Sequence, residues 1–173
     1  MLSIVDLFMQ DIIDLDGTCL DNPNVSQVMT AEEEALLPEH YENAEPYHDI
    51  VRMIHSSPQG TLKTIITGRK YKYKDVTEGW VDKHVLPGKA YEIQYLGFKT
   101  YALYIEEKVK AIIDIIEKST DDVYRIFEDD EHVIDKFKEE LFKLSLSRDI
   151  RVHLIHVRGG KACRRNFLLR KKP

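Results

Sequence analysis

The sequence contains very little cysteine. Cys19 and Cys163 are the only two in 173 residues, and they lie far apart along the chain. Disulfide frameworks and structural zinc sites need several cysteines at short, regular spacings. The seven histidines have no spacing typical of metal ligands either. We therefore expect reduced thiols, with neither a disulfide nor a zinc site.

Long apolar runs are absent as well. No stretch reaches the roughly 18 consecutive apolar residues of a membrane-spanning helix, and the first residues lack the basic, apolar and small-residue regions of a secretory signal. We therefore expect a cytoplasmic protein with no membrane partner. The composition, with 43% hydrophobic and 32% charged residues, is typical of a globular protein with a full core. We expect residues 1–173 to form one domain.

The net charge of -5 and the pI of about 5.8 argue against a uniformly basic nucleic-acid binder. The charges are unevenly distributed, however, with acidic runs at 32–34 and 128–131. Basic residues gather near the C-terminus, namely Arg158, Lys161, Arg164, Arg165, Arg170, Lys171 and Lys172. We expect residues 158–173 to form a basic tail that leaves the last strand at a Gly159-Gly160 turn. This polarity is relevant to a polyanionic substrate.

Apolar segments alternate with helical patterns along the chain. Strands are predicted at residues 5–13, 62–66, 123–127 and 151–157, and a strand or extended connector at 90–98. Helices are predicted at residues 30–37, 45–56, 75–84, 105–117 and 133–144. The helix at 105–117 has the strongest pattern, because Val109, Ile112, Ile113 and Ile116 form one stripe. This alternation predicts an α/β fold with a mostly parallel sheet covered on both faces.

Two carboxylates directly follow the first predicted strand. Asp14 and Asp16 lie in the sequence Asp-Leu-Asp-Gly-Thr, where Gly17 and Thr18 indicate that the chain is turning. Like charges at this separation are unfavourable without a cation, a shared proton or open solvent. We interpret the pair as a magnesium-dependent nucleophile and its acid/base partner. Sites in parallel sheets form at the C-terminal ends of the strands, and Thr67, Asp129 and Asp130 also follow predicted strands.

These motifs, in this order, resemble those of the haloacid dehalogenase-like (HAD) superfamily. Asp14, Asp16 and Thr18 match its first motif, Thr67 its second, Lys108 its third, and Asp129 with Asp130 its fourth. Lys110 is an alternative third-motif lysine. The resemblance covers residues 6–144 and implies a Rossmannoid three-layer α/β/α sandwich. The insertions are too short for a large cap, so a minimal cap and an open site are expected.

Members of this superfamily are mostly phosphatases, and the resemblance assigns roles to these residues. Asp14 would form an aspartyl-phosphate, and Asp16 would act as general acid and base. Lys108 would offset the clustered negative charge. The phosphate and substrate would contact Thr67, Thr18, Gly68 and Arg69. Mg²⁺ would be bound by Asp14, the Asp16 backbone carbonyl and Asp129, with Asp130 as a further ligand or as a hydrogen-bond acceptor just outside the ligand set.

The substrate class is less clearly indicated than the reaction. Residues 99–104 and 127–132, followed by Phe137, are similar to the HAD-like domains of RNA-repair proteins, although Asp130 replaces an arginine expected there. The Lys/Tyr alternation at residues 70–74 is a pattern that can stack on and pair with nucleic acid. We therefore expect a phosphorylated RNA or DNA end. A nucleotide, a small phosphorylated metabolite and a non-catalytic HAD-like binding module are the alternatives.

Overall fold

The computed structural model describes residues 8–21, 30–97 and 100–171. Its helices are α1 (Ala31–Asn43), α2 (His48–His55), α3 (Lys74–His84), α4 (Tyr101–Lys118) and α5 (Glu131–Leu141). Its strands are β1 (Met9–Ile13), β2 (Leu62–Thr67), β3 (Glu92–Tyr95), β4 (Val123–Glu128), β5 (Ile150–Arg158) and β6 (Lys161–Leu169). Residues 5–7 of the predicted first strand and residue 98 of the predicted connector lie outside the described ranges. None of the helices described is both long and apolar enough to cross a membrane.

The described strands form a single sheet in the order β3-β2-β1-β4-β5-β6. Strands β1 to β5 pair in parallel, and β6 pairs antiparallel with β5. The predicted α/β fold with a mostly parallel sheet is therefore confirmed. Because β1 lies between β2 and β4, the C-terminal ends of these three strands meet at one edge of the sheet. That edge carries Asp14, Thr67 and Asp129.

Apolar cores cover both faces of the sheet. Val109, Ile112 and Ile116 of α4 pack with α5 on the face that contains Ile12, which confirms the predicted apolar stripe. Helices α2 and α3 cover the opposite face, which contains Ile13. Successive residues of β1 thus point into different cores, as the pleat of a strand requires. The result is the three-layer α/β/α arrangement expected from the sequence.

Helix α1 is longer than the sequence predicts, since it continues past residue 37 to Asn43. A capping box begins the helix: the Glu33 N–H donates to Thr30 Oγ1 at 3.2 Å, and the Thr30 N–H donates to Glu33 Oε2 at 2.7 Å. Only Leu37 and Tyr41 are buried in this helix, which explains its weak periodicity. Both pack against Tyr73, which directly precedes α3.

The basic C-terminal segment is a strand rather than a tail, so our prediction for residues 158–173 was wrong. Gly159 and Gly160 form a turn with positive φ angles, and β6 then pairs with the whole length of β5. Most of β6 is exposed, and Leu169 is its one buried residue. The strand therefore lacks the apolar alternation by which sequence patterns identify strands. Residues 172 and 173 lie outside the described ranges.

Candidate active site

Three carboxylates meet at the ends of β1 and β4. Asp14, Glu128 and Asp129 each offer an oxygen atom, and these atoms lie within 4.8 Å of one another. The Asp14 N–H donates to the Phe127 carbonyl at 3.0 Å, which fixes the end of β1 against β4. Asp14 and Glu128 are almost completely buried, whereas Asp129 is partly exposed. The cluster thus opens to solvent on the side of Asp129.

Lys108 supplies the positive charge inside this cluster. Its Nζ atom lies 2.7 Å from Asp14 Oδ1, 2.7 Å from Glu128 Oε2 and 2.7 Å from the Tyr104 hydroxyl. Helix α4 directs Lys108 inward, whereas Lys110 is exposed. Burial alone would lower the pKa of Lys108, but the charges of Asp14 and Glu128 outweigh it and raise that pKa well above its usual range. Geometry therefore favours Lys108 over Lys110.

Three carboxylates share one buried cation, and the pKa values of all three are raised. Burial raises the pKa of Asp14 despite the opposing effect of Lys108. Burial likewise raises the pKa of Glu128 to about 7, again opposed by Lys108. The pKa of Asp129 rises to about 8 because of burial and then repulsion from Asp14 and Glu128. A further cation would relieve this repulsion, and carboxylate oxygens are the ligands that Mg²⁺ prefers. The donor set therefore fits a divalent cation.

Gly17 and Thr18 shape the Asp129 side of the cluster. Gly17 has a φ of 87°, and a Cβ placed on it would overlap Asp129 Oδ2. Both facts favour glycine at this position. Thr18 is fully buried and donates to Asp129 Oδ1 at 2.9 Å. The structure thus gives Thr18 a carboxylate to hold instead of the substrate contact expected from the sequence.

Asp16 lies beside the cluster and is bound by Arg69. Arg69 Nε donates to Asp16 Oδ2 at 2.9 Å, and Nη2 donates to Oδ1 at 2.7 Å. The guanidinium carbon lies 3.7 Å from the Tyr41 ring centroid, and Nη1 donates to Thr77 Oγ1 at 3.3 Å. Arg69 is only 3% exposed. Helices α1 and α3 therefore hold Arg69, which in turn holds Asp16.

Thr67 and Gly68 line the third side of the site. Thr67 is fully buried at the end of β2, and its Oγ1 accepts from the Arg69 N–H at 3.2 Å. A Cβ on Gly68 would lie 3.0 Å from the Tyr104 ring, so this backbone passes close to the residue that contacts Lys108. A helix beginning near Gly68 would have directed its N–H groups at a phosphate. Instead, α3 begins at Lys74 after a 3₁₀ turn.

Asp130 is not part of the carboxylate cluster, which corrects its expected role as a metal ligand. Its side chain caps α5 by accepting from the His132 N–H at 2.9 Å, and it also accepts from the Tyr101 hydroxyl at 2.8 Å. Glu128, rather than Asp130, is the third carboxylate of the cluster. Glu128 Oε1 accepts from the backbone N–H groups of Asp129 and Asp130 at 3.2 and 3.1 Å. Its position as the last residue of an apolar strand could have indicated this.

The Lys/Tyr alternation at residues 70–74 contacts helix α1. Lys70 and Lys72 both bind Glu34 of α1, at 2.7 and 2.8 Å. Tyr73 is buried against α1, which leaves Tyr71 as the exposed ring of the pair. These contacts use most of the groups that could have stacked on or paired with a nucleic acid. The segment therefore gives little support to the predicted nucleic-acid contact.

No family model matches the sequence, and no curated protein matches it. Among solved structures, a chain of a Pnkp1/Rnl/Hen1 complex superposes with a TM-score of 0.51 at 14% identity, covering 79% of this chain and 44% of that one. A class C acid phosphatase from Bacillus anthracis with tungstate bound gives a TM-score of 0.47 at 15% identity, covering 80% and 62%. This chain thus spans less than two thirds of either protein. The first similarity supports the fold alone.

Proposed function

We propose that the chain is a Mg²⁺-dependent phosphohydrolase that removes a phosphoryl group through an aspartyl-phosphate on Asp14. The observation that carries the proposal is the position of Lys108 between Asp14 and Glu128, beside Asp129. Lys108 engages Asp14 Oδ1, which leaves the second oxygen for attack on phosphorus. A buried carboxylate paired with a lysine and a candidate cation site is suited to covalent phosphoryl transfer.

The Asp14 and Asp129 carboxylates and the Asp16 backbone carbonyl would hold the cation. When bound, Mg²⁺ would neutralise charge on the phosphoryl group and on the carboxylates. Glu128 would support the site without direct coordination, because Lys108 and two backbone N–H groups already engage its oxygens. The Thr18 hydroxyl would keep Asp129 oriented.

The reaction requires two displacements. In the first, an Asp14 oxygen attacks phosphorus, the bond to the leaving oxygen breaks, and the protonated Asp16 carboxyl gives its proton to that oxygen. In the second, a water molecule attacks the phosphorus and loses a proton to Asp16, and the bond from phosphorus to Asp14 breaks. Inorganic phosphate, the Asp14 carboxylate and the protonated Asp16 carboxyl result. One residue thus serves first as acid and then as base.

Arg69 must release one Asp16 oxygen before Asp16 can transfer a proton. Both Asp16 oxygens contact the guanidinium in this arrangement, so proton transfer requires that one contact be released. A phosphate dianion near Thr67 and Gly68 would compete for Arg69, because guanidinium groups bind phosphate as well as carboxylate. The substrate phosphate would then bind Arg69, and one Asp16 oxygen would be freed.

A hydrolysis assay with p-nitrophenyl phosphate, with and without Mg²⁺, tests the proposal. We expect Mg²⁺-dependent turnover that Asp14→Asn abolishes. The matched control is Asp49→Asn, since Asp49 is an exposed carboxylate on α2. A second panel of oligonucleotides with terminal phosphates, nucleotides and sugar phosphates would identify the substrate class, for which we propose a nucleic-acid end. Absence of turnover on every member would overturn the proposal and favour a non-catalytic binding module.

A further inference from the structure

The strand β6 forms an exposed, strongly basic edge of the sheet. The hairpin of β5 and β6, continued to residue 171, contains no aspartate or glutamate. Its cations are Arg151, Arg158, Lys161, Arg164, Arg165, Arg170 and Lys171. The chain as a whole carries a net charge of -5, so this concentration of positive charge opposes the overall balance. We define the basic edge as Lys161, Arg164 and Arg165, which lie on β6.

Among the described residues the cations of the basic edge have no ion-pair partner, although Arg164 donates to Asn166 Oδ1 at 2.9 Å and the charge of Arg165 acts on Asp135. Arg158 pairs with Glu131 and Arg170 with Asp149. In contrast, within the described residues, Lys161, Arg164 and Arg165 form no ion pair with a carboxylate, and all three are exposed. Exposed cations on an edge strand also discourage pairing with another strand. Protection against strand pairing does not require an active site nearby, whereas substrate binding does. The position of the basic edge relative to the active site therefore decides between these two roles.

The basic edge begins at the rim of the candidate active site. Parallel strands place the C-terminal end of β5 at the edge of the sheet that carries Asp129, and β6 starts there. His156 of β5 donates through Nε2 to the Asp129 carbonyl at 3.2 Å. A Cβ on Gly160 would lie 2.8 Å from the Tyr47 ring, so the hairpin turn packs against the loop before α2. Lys161 directly follows that turn.

Cations project from both faces of this edge strand. Arg164 lies opposite Ile155, which belongs to the core under α2 and α3, and Arg165 lies opposite Leu154, which belongs to the core under α4 and α5. From Lys161 to Arg165 the strand extends about 13 Å. The basic edge therefore forms a line of positive charge that leads away from the site, and it does not form a pocket for one compact anion.

The surroundings of His153 also show an excess of positive charge. Its Nδ1 atom lies 2.8 Å from Arg164 Nη2 and 2.7 Å from Asn166 Oδ1. Burial lowers the pKa of His153, and repulsion from Arg164, Arg125 and Arg151 lowers it further. This neighbourhood would favour a ligand with several negative charges.

From this arrangement we infer that the basic edge binds the phosphodiester backbone of a single-stranded polynucleotide whose terminal phosphate enters the carboxylate site. The placement of the terminal phosphate rests on the proposed function. A line of exposed Lys and Arg side chains binds successive phosphates and releases counterions, so its affinity for a polynucleotide falls steeply with salt. A mononucleotide would reach the carboxylate site without this contact. The basic edge would thus favour a polynucleotide end over a small phosphate ester.

The test measures binding and catalysis separately. Fluorescence anisotropy with a labelled single-stranded oligonucleotide of about 20 residues and no terminal phosphate reports on the edge alone. Three single-strand phosphate contacts correspond to a salt slope of about 2, so between about 50 and 200 mM salt the wild type should lose roughly 20-fold more affinity than Lys161→Ala/Arg164→Ala/Arg165→Ala. The rate with p-nitrophenyl phosphate should not change. The charge-matched control is Lys83→Ala/Lys89→Ala/Lys118→Ala, at exposed positions outside the hairpin of β5 and β6.

The inference would be overturned if the basic-edge variant kept the wild-type affinity and salt slope. An equal loss of oligonucleotide affinity in the control variant would also overturn it. If a polyglutamate peptide of equal charge displaced the oligonucleotide as well as a second oligonucleotide did, the assignment to nucleic acid would be wrong. Circular dichroism and a thermal melt would verify that each variant folds. If the basic-edge variant lost oligonucleotide binding while the wild type showed no phosphatase activity, the role of the edge would be supported and the proposed function rejected. Phosphatase activity in the wild type, with oligonucleotide binding that the basic-edge substitutions leave unchanged, would support the proposed function and reject the role of the edge.

Discussion

Arg69 holds both carboxylate oxygens of Asp16, with its Nε 2.9 Å from Oδ2 and its Nη2 2.7 Å from Oδ1. The proposed acid/base residue is therefore fixed by a buried guanidinium that also contacts Tyr41 of α1. This contact connects helix α1 to the proposed proton transfer. It also makes two roles separable, because Asp16 would transfer the proton and Arg69 would position Asp16.

The role of Asp16 predicts a dependence on the leaving group. General acid catalysis contributes about 10²- to 10⁴-fold, and an alkyl alkoxide needs the proton more than p-nitrophenolate does. Asp16→Asn should therefore lower kcat more for an alkyl phosphate than for p-nitrophenyl phosphate. Steady-state assays with both esters measure the difference. An equal loss on both would contradict general acid catalysis by Asp16.

Arg69→Lys should lower kcat by up to about 10²-fold while the protein stays folded. Lysine keeps the charge but lacks the planar fork that could hold an Asp16 oxygen and a phosphate oxygen together, and a small misplacement of a catalytic group is enough for a loss of this size. Arg52→Lys is the control, because Arg52 also binds an aspartate but is exposed. Wild-type kcat in Arg69→Lys would show that Asp16 needs no such positioning.

Lys108→Met should destabilise the Mg²⁺-free protein by about 3 to 5 kcal/mol, since it leaves Asp14 and Glu128 buried without their cation. Lys110→Met is the matched control on the same helix, and its exposed side chain predicts a change within about 0.5 kcal/mol. Urea denaturation followed by circular dichroism measures both. Similar changes in the two variants would contradict the charge-balancing role of Lys108.

The raised pKa values predict how stability depends on pH. Asp129 has a pKa of about 8 in the folded protein, above its usual value of 3.8, so the folded state binds more protons between these values and its stability falls as pH rises. Mg²⁺ competes with the proton for this carboxylate. The Mg²⁺-induced rise in Tm should therefore be larger at pH 8 than at pH 6. Asp129→Asn should remove most of this difference, and an unchanged difference would exclude Asp129 as the ligand.

Gly17→Ala should weaken Mg²⁺ binding and activity. The new Cβ would overlap Asp129 Oδ2 in a backbone conformation unsuited to alanine, so the carboxylate must move. Gly79→Ala is the control, because Gly79 lies within α3 and an added Cβ there would meet no atom within 4 Å. Alanine there should stabilise the helix by up to about 1 kcal/mol. Isothermal titration with Mg²⁺ compares the variants, and equal affinities would contradict the close approach.

Sequence patterns could predict the fold and the edge that carries the site. The apolar stripe of α4 buries Val109 and Ile112, and the polar residues at strand ends converge because parallel strands end at the same edge. The sequence favours Lys108 but leaves Lys110 as an alternative, because both lysines lie on the same amphipathic helix. The choice depends on the rotation of α4 against β1 and β4, which only tertiary packing sets.

Other features carry no local sequence signal. β6 is exposed along most of its length, so it is recognisable as a strand only through its pairing with β5. Asp11 interrupts the apolar pattern of β1 close to the candidate site, yet it belongs to a separate buried ion network. Arg125 Nε lies 2.7 Å from Asp11 Oδ1, and Lys63 also binds this carboxylate. These partners lie on neighbouring strands distant in sequence, so strand order must be known before they can be paired.

The proposed covalent intermediate on Asp14 can be tested most directly by acid-quench trapping. Wild type, Asp14→Asn and Asp16→Asn would react with ³²P-labelled p-nitrophenyl phosphate and Mg²⁺, and the labelled peptide would be identified. We predict that the label lies on the peptide containing Asp14, accumulates in Asp16→Asn because water activation slows, and is absent from Asp14→Asn. Turnover without label in wild type and Asp16→Asn, or label retained in Asp14→Asn, would contradict nucleophilic attack by Asp14.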